Sequence, residues 1–503
     1  MLSTGGADRP ERPDPPPEQR ERAREPADPR RWWALAVIGL AQLLVVLDAT
    51  VVNIALPSAQ QDLGMTDAGR QWVVAAYTLP FGGLLLLGGR IADLAGRRRM
   101  FLLGLAGFGA ASALGGAAPG PGALFAARAL QGAFAALLAP AALSLLTTLF
   151  TSARDRARAF GVYGALSGGG AAAGLLAGGI LTEYLDWRWC LYVNVPLVAL
   201  ALAGCALLRR DPPRPGGGRL DLPGTLLGCG GLLALVAAFA EAEGGWDRPV
   251  VAVLLVTGAL ALLAFTRVEW RAAHPLLPLR VVADRSRGGA FLAVGVPQVG
   301  LFGLFLFLTY YFQAVLGYSP VEAGLAFLPL SAAMGVGAAV IARRALARGV
   351  PARHLMAGAL LVAAAGMVLL TGLEAGTGEV FAVRLLPAQL LIGAGIGCAV
   401  MPAMITASAG VDQRDAGVAA ALVNSAQQIG GSLGIALLNT VATSVAAAHP
   451  AGGGAPAALV HGYTVALWVG VGFLLLAAVL AGVLVPSRRP PAPVEPGRQP
   501  APL

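Results

Sequence analysis

The sequence predicts an all-α integral membrane protein with fourteen transmembrane helices, arranged as two six-helix bundles plus two extra central helices. Three observations predict this class. Of the 503 residues, 56% are hydrophobic and only 13% are charged, whereas soluble domains carry roughly 25% charged residues. The apolar residues form runs of about 20, the length that crosses a bilayer as a helix. The arginines lie mostly in short segments between these runs, so a soluble protein is excluded.

Fourteen apolar runs are long enough to be predicted as spans. The first eight runs cover residues 32–54, 72–91, 100–118, 122–148, 159–182, 190–208, 222–241 and 249–266. The last six cover residues 290–313, 321–342, 354–373, 384–406, 417–445 and 463–485.

Arginine placement gives these spans an orientation. All 36 basic residues are arginine. With the N-terminus in the cytoplasm, only Arg70, Arg188, Arg248 and Arg384 fall in external loops and only Arg128 falls in a span. Cytoplasmic loops are enriched in arginine, and a miscounted span would invert this pattern for every later loop. We therefore predict a multi-pass protein of a bacterial inner (plasma) membrane, with both termini cytoplasmic. The lipid bilayer is the partner that the arginine pattern indicates, and no nucleic acid is expected despite the net charge of +9.

The chain is predicted to divide into five segments. Residues 1–31 are rich in Pro, Arg and Glu and should form a disordered cytoplasmic tail rather than a signal peptide. A proline- and glycine-rich break follows the sixth span. The remaining segments are an N-terminal bundle (32–210), a linker with two extra helices (211–288), a C-terminal bundle (289–487) and a second cytoplasmic tail (488–503). Two six-helix bundles with a site between them are typical of transporters.

Asp48 and Arg128 are the clear ionisable pair within the first six spans. A carboxylate in hydrocarbon is costly, so Asp48 must pair, face a wet cavity or bind a proton. Arg128 keeps its charge and needs a carboxylate or several carbonyl groups. We predict that the two residues carry proton coupling or bind the charge of a substrate. The alternatives are an Asp48 bonded to Thr50, Asn53 or the backbone, and a fixed ion pair with no role in turnover.

The loop after the second span, residues 89–99, is a candidate gating segment. Its glycines permit a tight turn, Asp93 can cap a helix, and its arginines anchor the cytoplasmic face. From the residues alone, a positive-inside loop is the simpler explanation. The candidate gating residues are Gly89, Asp93, Gly96, Arg97 and Arg98.

Small and polar residues mark two further helices. In the fifth span, a four-residue glycine repeat lets a neighbouring helix approach closely and slide, although static packing explains it equally well. The candidate packing residues are Gly170, Gly174, Gly178 and Gly179. Amides within spans could offer hydrogen bonds to a cavity, and the candidates are Asn53, Gln131, Asn424, Gln427 and Gln428.

The residues that build metal and catalytic sites are scattered. The cysteines have no metal or disulfide spacing and are interpreted as small core residues; they are Cys190, Cys205, Cys229 and Cys398. The histidines form no cluster; they are His274, His354, His449 and His461. No metal site or cofactor is predicted. The sequence favours neither an enzyme nor a receptor with a soluble signalling domain.

These motifs together resemble the major facilitator superfamily, specifically its branch of fourteen-span drug:proton antiporters. The resemblance covers the chain from Trp32 to about Pro486. It rests on seven stretches in order: residues 47–57, 72–77, 89–99, 128–132, 187–196, 310–313 and 316–324. Among them, 47–57 resembles the branch's first-helix signature and 128–132 the superfamily's fourth-helix proton-coupling motif.

The resemblance implies a secondary active transporter that exports hydrophobic drugs, antibiotics or secondary metabolites by proton antiport and alternating access. Cationic compounds are among the implied substrates, and the proton gradient supplies the energy without a cofactor. By the same resemblance, Asp93 helps to latch the cytoplasmic gate, and Asp48 and Arg128 serve coupling or substrate charge.

Two positions depart from the family pattern. Leu175 follows Gly174 where the antiporter branch normally has proline, and Leu94 stands where a basic residue is common. The first departure slightly favours the alternative, an uptake carrier or facilitator of a small metabolite within the same superfamily. The second leaves Arg97 and its two neighbouring arginines in place.

Overall fold

The computed structural model describes residues 30–150, 152–207, 221–242, 245–272, 275–277, 279–374, 380–408, 416–448 and 454–486. The first eight long helices are α1 (Arg30–Asp62), α2 (Asp67–Ala95), α3 (Arg97–Gly116), α4 (Pro121–Leu149), α5 (Ala153–Tyr184), α6 (Trp189–Gly204), α7 (Leu222–Ala242) and α8 (Pro249–Arg271).

Six more long helices follow a one-turn helix, Leu279–Val282. They are α9 (Arg285–Val315), α10 (Pro320–Ala347), α11 (Ala352–Leu370), α12 (Phe381–Ala407), α13 (Ala416–Ala448) and α14 (Gly454–Leu484). Single π-helical turns occur in α9, α10 and α12. No β-strand occurs in the described ranges.

Thirteen of these helices are long and apolar enough to cross a membrane, counted over the described ranges. The chain is therefore a multi-pass membrane protein. The helix at the sixth predicted span, α6, is shorter, and it continues into a 3₁₀ turn, Cys205–Leu207. The predicted linker from 211 to 220 and the tails at 1–29 and 488–503 lie outside the described residues.

Polar caps explain why several helices begin before the apolar runs do. The Thr66 side chain accepts from the Gly69 N–H at the start of α2, and Asp284 accepts from two N–H groups at the start of α9. At the start of α10, Ser319 and Glu322 form a reciprocal capping box. Such caps satisfy amide groups that would otherwise be unpaired.

The helices pack as two bundles. In the first, α2 packs against α4, α4 against α3, and α1 against α5 and α6. In the second, α9 packs against α13 and α14, and α12 packs against α10 and α11. Helices α7 and α8 pack against each other, and α7 also contacts α2 and α13. Thr440 of α13 donates to the Phe239 carbonyl of α7 at 2.6 Å.

The two bundles meet along two helix pairs, α2 with α13 and α5 with α10. Close contacts gather at the end that arginine placement predicts to be external. There the Gln313 amide donates to the Ile54 carbonyl at 2.9 Å, and Val321 N–H donates to Glu183 at 3.0 Å. Towards the other end of α5, a Cβ added at Gly161, Gly164, Gly168 or Gly169 would meet no atom within 4 Å. The described contacts thus close the predicted external end.

Candidate functional site

Asp48 and Arg128 form a direct ion pair in the core of the first bundle. Arg128 Nη1 donates to Asp48 Oδ2 at 2.6 Å. The Asp48 residue is 0% exposed and Arg128 is 1% exposed. The first residue comes from α1 and the second from α4, so helix packing brings together charges that are 80 positions apart. The sequence predicted this pair, and its functional role remains a prediction.

Three neutral polar residues complete the shell around the Asp48 carboxylate. Gln131 Nε2 and Asn194 Nδ2 both donate to Asp48 Oδ1, at 3.0 and 2.8 Å. Gln131 Nε2 also lies 2.7 Å from Ser112 Oγ, and Gln131 Oε1 accepts from Arg128 Nη1 at 3.0 Å. All three neutral residues are fully buried. The site is therefore assembled from α1, α3, α4 and α6.

Helix α2 holds the guanidinium from its other side. Arg128 Nε donates to the Val73 carbonyl at 3.1 Å, and the Arg128 Cζ atom lies 4.4 Å from the centroid of the Tyr77 ring. A cation at this distance is attracted to the ring face. Two buried atoms at the site, Tyr77 Oη and Asn194 Oδ1, have no hydrogen-bond partner among the described residues.

Hydrogen-bond donors already occupy both oxygens of the Asp48 carboxylate. Three donors converge on its two oxygens, so a proton or a cationic group competes with them for the carboxylate charge. Because the carboxylate is buried, leaving any of these groups unpaired is costly. The Asp48 carboxylate is thus held by side chains of α4 and α6, and its role in proton coupling stays a prediction.

The local alternative for Asp48 does not match the observed contacts. Thr50 Oγ1 bonds to the carbonyls of Val46 and Leu47, and Asn53 Nδ2 donates to the Ala49 carbonyl at 3.0 Å. Neither side chain bonds to Asp48. Asn53 is half-buried on α1 and stands outside the ion-pair cluster.

Sequence reasoning missed Asn194, Ser112 and Tyr77 as members of this site. In the sequence, Tyr77 and Asn194 stand out only as members of the family-like stretches 72–77 and 187–196. Polar residues inside apolar spans were the available signal, since buried polar groups need partners. Many other positions carry the same signal, and only the packing of α3 and α6 against α4 and α1 identifies these three.

The candidate gating segment is placed differently from the prediction in one respect. Asp93 does not cap a helix; it lies in the last turn of α2, and Gly96 occupies the N-cap of α3 without a side-chain cap bond. Gly96 has a φ of 101°, so it makes the sharp turn between the helices. Asp93 instead pairs with Arg97 at 3.3 Å, and Arg98 Nη2 donates to the Cys205 carbonyl at 3.3 Å. Gly89 packs near Pro140 of α4.

The glycine repeat of α5 makes close contact with two helices. A Cβ added at Gly170 would lie 2.9 Å from Leu43, and one added at Gly174 would lie 2.0 Å from Thr50 Oγ1. A Cβ at Gly178 would lie 2.8 Å from the Val51 carbonyl, so these three positions face α1. Gly179 instead approaches the Pro320 carbonyl of α10, in the second bundle.

One of the three candidate amides of α13, Gln428, lies at the seam between the bundles. Asn424, Gln427 and Gln428 are all half-buried, and none forms a side-chain hydrogen bond to another described residue. A Cβ added at Gly82 of α2 would lie 2.8 Å from Gln428 Cβ, which places Gln428 at the bundle interface.

The structure corrects the predicted place of Arg70. Arg70 was assigned to an external loop, but the helix that contains it starts at Asp67, and its residue is 2% exposed. A helix start at a Thr66 cap is invisible to an apolar-run count. Arg70 therefore belongs to the protein interior.

Metal-binding clusters of three or more candidate ligands are absent from the described residues. All four cysteines are free, and three are buried. His354 and His461 lie on α11 and α14, whereas His274 and His449 lie outside the described residues.

Comparisons with known proteins agree with this architecture. Residues 38–435 match the family model described as Major Facilitator Superfamily. The chain is 64% identical over 466 residues to the puromycin resistance protein pur8 of Streptomyces alboniger, covering 92% of each chain. It is 43% identical over 403 residues to the cephamycin export protein CmcT of Amycolatopsis lactamdurans, covering 78% of this chain and 82% of that protein.

A solved structure shares the fold at low identity. It is a bacterial homologue of the human lysosomal transporter Spinster, crystallised in an inward-facing and occupied conformation. The TM-score is 0.66 at 17% identity, and the match covers 93% of this chain and 100% of that chain.

Proposed function

Because this chain belongs to the major facilitator superfamily and is a membrane transporter, we propose that it exports antibiotics or similar hydrophobic drugs from the cell by proton antiport. The single observation that carries the export assignment is the 64% identity to a puromycin resistance protein over 92% of both chains. An export protein for cephamycin and a lincomycin resistance protein are also among its relatives. These relatives favour export. Leu175, which stands where the antiporter branch normally has proline, had slightly favoured the alternative of uptake or facilitated diffusion. Puromycin is accordingly the first substrate to test.

Proton coupling is assigned to Asp48 with Arg128. The support is the buried ion pair, whose carboxylate receives three donors from two other helices, α4 and α6. A proton that enters from the external side displaces a donor at Asp48, and the freed side chain changes the packing between α1, α4 and α6. Return of the carboxylate to its donors releases the proton towards the cytoplasm.

The closed external end supports transport by alternating access. With that end closed by contacts between α1 and α9 and between α5 and α10, substrate reaches the central seam from the cytoplasm. The half-buried amides Asn424, Gln427 and Gln428 offer hydrogen bonds there, opposite the charged site of the first bundle. A hydrophobic substrate with a few polar groups, cationic or neutral, fits such a surface.

Fourteen spans and cytoplasmic termini complete the proposal. The shorter helix α6, with its 3₁₀ extension, also crosses the membrane and brings the number of spans from thirteen to fourteen. Helices α7 and α8 are the extra pair beside the seam.

The direct test of export is drug accumulation. Cells that lack their own efflux pumps and express this chain should accumulate less puromycin than empty-vector cells. Equal accumulation for puromycin and a panel of lipophilic antibiotics would contradict the assignment.

A further inference from the structure

Arg70 is a buried cation at the contact between the two bundles. It lies in the first turn of α2, at the predicted external end, and its side chain is 2% exposed. Its main partner belongs to the opposite bundle: Arg70 Nε and Nη2 both donate to Asn439 Oδ1 of α13, at 3.1 and 2.8 Å.

A second helix of the opposite bundle covers the same guanidinium. The Arg70 Cζ atom lies 4.4 Å from the centroid of the Tyr310 ring on α9. The Tyr310 hydroxyl in turn donates to Gln60 of α1, back in the first bundle. Asn439 Nδ2 also donates to the Asp67 carbonyl at 3.2 Å. This cluster, Arg70 with Asn439, Tyr310 and Gln60, connects the bundles by several direct contacts.

The charge balance of the cluster is incomplete. The carboxylate paired with Arg70 is Asp67, at 3.1 Å, and its side chain is 52% exposed. The other partners carry no formal charge: they are the Asn439 amide, the Tyr310 ring and the Tyr463 side chain of α14. Burial of the guanidinium is costly, and the neutral partners offset that cost only while the bundles touch. Opening the external end returns Arg70 to water, which removes the cost.

We propose that Arg70 is a positioning residue whose contact with Asn439 and Tyr310 latches the external end, and that its incomplete charge compensation keeps this latch easy to open. The inference rests on the alternating access proposed above. Arg70 holds the closed state when its partners are present, and it drives opening when they are removed.

This reasoning predicts opposite effects for two substitutions. Asn439→Leu leaves a buried guanidinium without its amide acceptor, so the bundles should separate at this end. Removing the charge as well, in Arg70→Leu with Asn439→Leu, should close them again, because no unpaired cation remains. A residue that only fills space would give additive damage instead. Arg188→Leu is a matched control, since Arg188 pairs with Asp62 at 2.5 Å at the same end but within one bundle.

The experiment is a distance measurement by electron spin resonance. Spin labels are attached to Gln61 and Ala447, exposed positions at the predicted external ends of α1 and α13, in a background where the four native cysteines are replaced. We expect Asn439→Leu to raise the ratio of long to short distances roughly tenfold or more. The double variant and Arg188→Leu should give the parent distribution. An unchanged distribution in Asn439→Leu, or a double variant that is as open as the single one, would overturn the proposal.

The measurement uses neither drug nor proton gradient. Failure of the latch therefore leaves the export assignment standing if drug accumulation still falls in expressing cells. A protein that passes the distance test but exports no drug would instead overturn the proposed function and leave the latch intact.

Discussion

Replacing Asp48 with Asn tests the coupling site in two separable ways. The substitution keeps the size of the side chain but removes the charge opposite Arg128 Nη1, 2.6 Å away. It also replaces one of two acceptor oxygens with an amide group that cannot accept from Gln131 Nε2 or Asn194 Nδ2. The buried guanidinium is then left without a counter-charge.

Breaking one partner of a buried ion pair costs about 3–5 kcal/mol. The remaining amide oxygen can still accept one hydrogen bond, so we take the lower figure, about 3 kcal/mol. At about 1.4 kcal/mol per tenfold change, this equals a roughly hundredfold fall in the ratio of folded to unfolded protein. The double variant Asp48→Asn with Arg128→Gln removes both charges and should recover most of that stability. It should not recover proton-driven transport.

The assay uses inverted membrane vesicles at matched expression, with puromycin uptake driven by an acidic interior. We expect proton-driven uptake to be lost in Asp48→Asn and in the double variant, while thermal stability falls only in the single one. Asp62→Asn is the control, because its exposed pair with Arg188 should contribute no more than about 1 kcal/mol. Undiminished, proton-dependent uptake by Asp48→Asn would refute the coupling role.

Three further predictions follow from named contacts. Asn194→Leu removes a hydrogen-bond donor that lies 2.8 Å from Asp48. It should destabilise the protein by about 1–3 kcal/mol and slow proton-driven uptake. Unchanged uptake would show that Asn194 contributes only to packing. Gly174→Ala places a Cβ 2.0 Å from Thr50 Oγ1, so overpacking should cost about 1–3 kcal/mol and lower the thermal midpoint. Gly168→Ala is the control, because its Cβ would meet no atom within 4 Å and should leave the midpoint unchanged. Equal midpoints for the two variants would show that α5 can shift away from α1 at little cost. Gln427→Leu should raise the KM for drug roughly two- to tenfold, because one hydrogen bond to the substrate is lost. Gln61→Leu, on the exposed end of α1, is the control. A changed Vmax at constant KM would argue against a contact between Gln427 and the substrate.

The sequence predicted the helices well because hydrocarbon imposes a simple length rule. Each apolar run became a helix, and the helices extend beyond the runs where polar residues such as Thr66 and Asp284 cap them. The ion pair was predictable for the same reason, since charges such as Asp48 and Arg128 stand out in apolar runs.

The rest of the site depends on helix packing. Asn194 and Ser112 are neutral, and nothing in their local sequence says that they face the same carboxylate. Arg70 resembled a loop residue because its contacts with the other bundle, such as those with Asn439 and Tyr310, cannot be read from its local sequence. For the glycines of α5, the repeat indicated close packing, but it could not show that Gly174 faces α1 while Gly179 faces α10.

Proton movement driven by drug tests drug:proton antiport most directly. Purified protein is placed in liposomes that contain a pH-sensitive dye, with equal pH on both sides and a puromycin gradient across the membrane. Drug flow should drive protons in the opposite direction, so the internal pH should change in wild-type liposomes and not in Asp48→Asn liposomes. Transport of puromycin by the wild-type protein without any change in internal pH would contradict proton antiport.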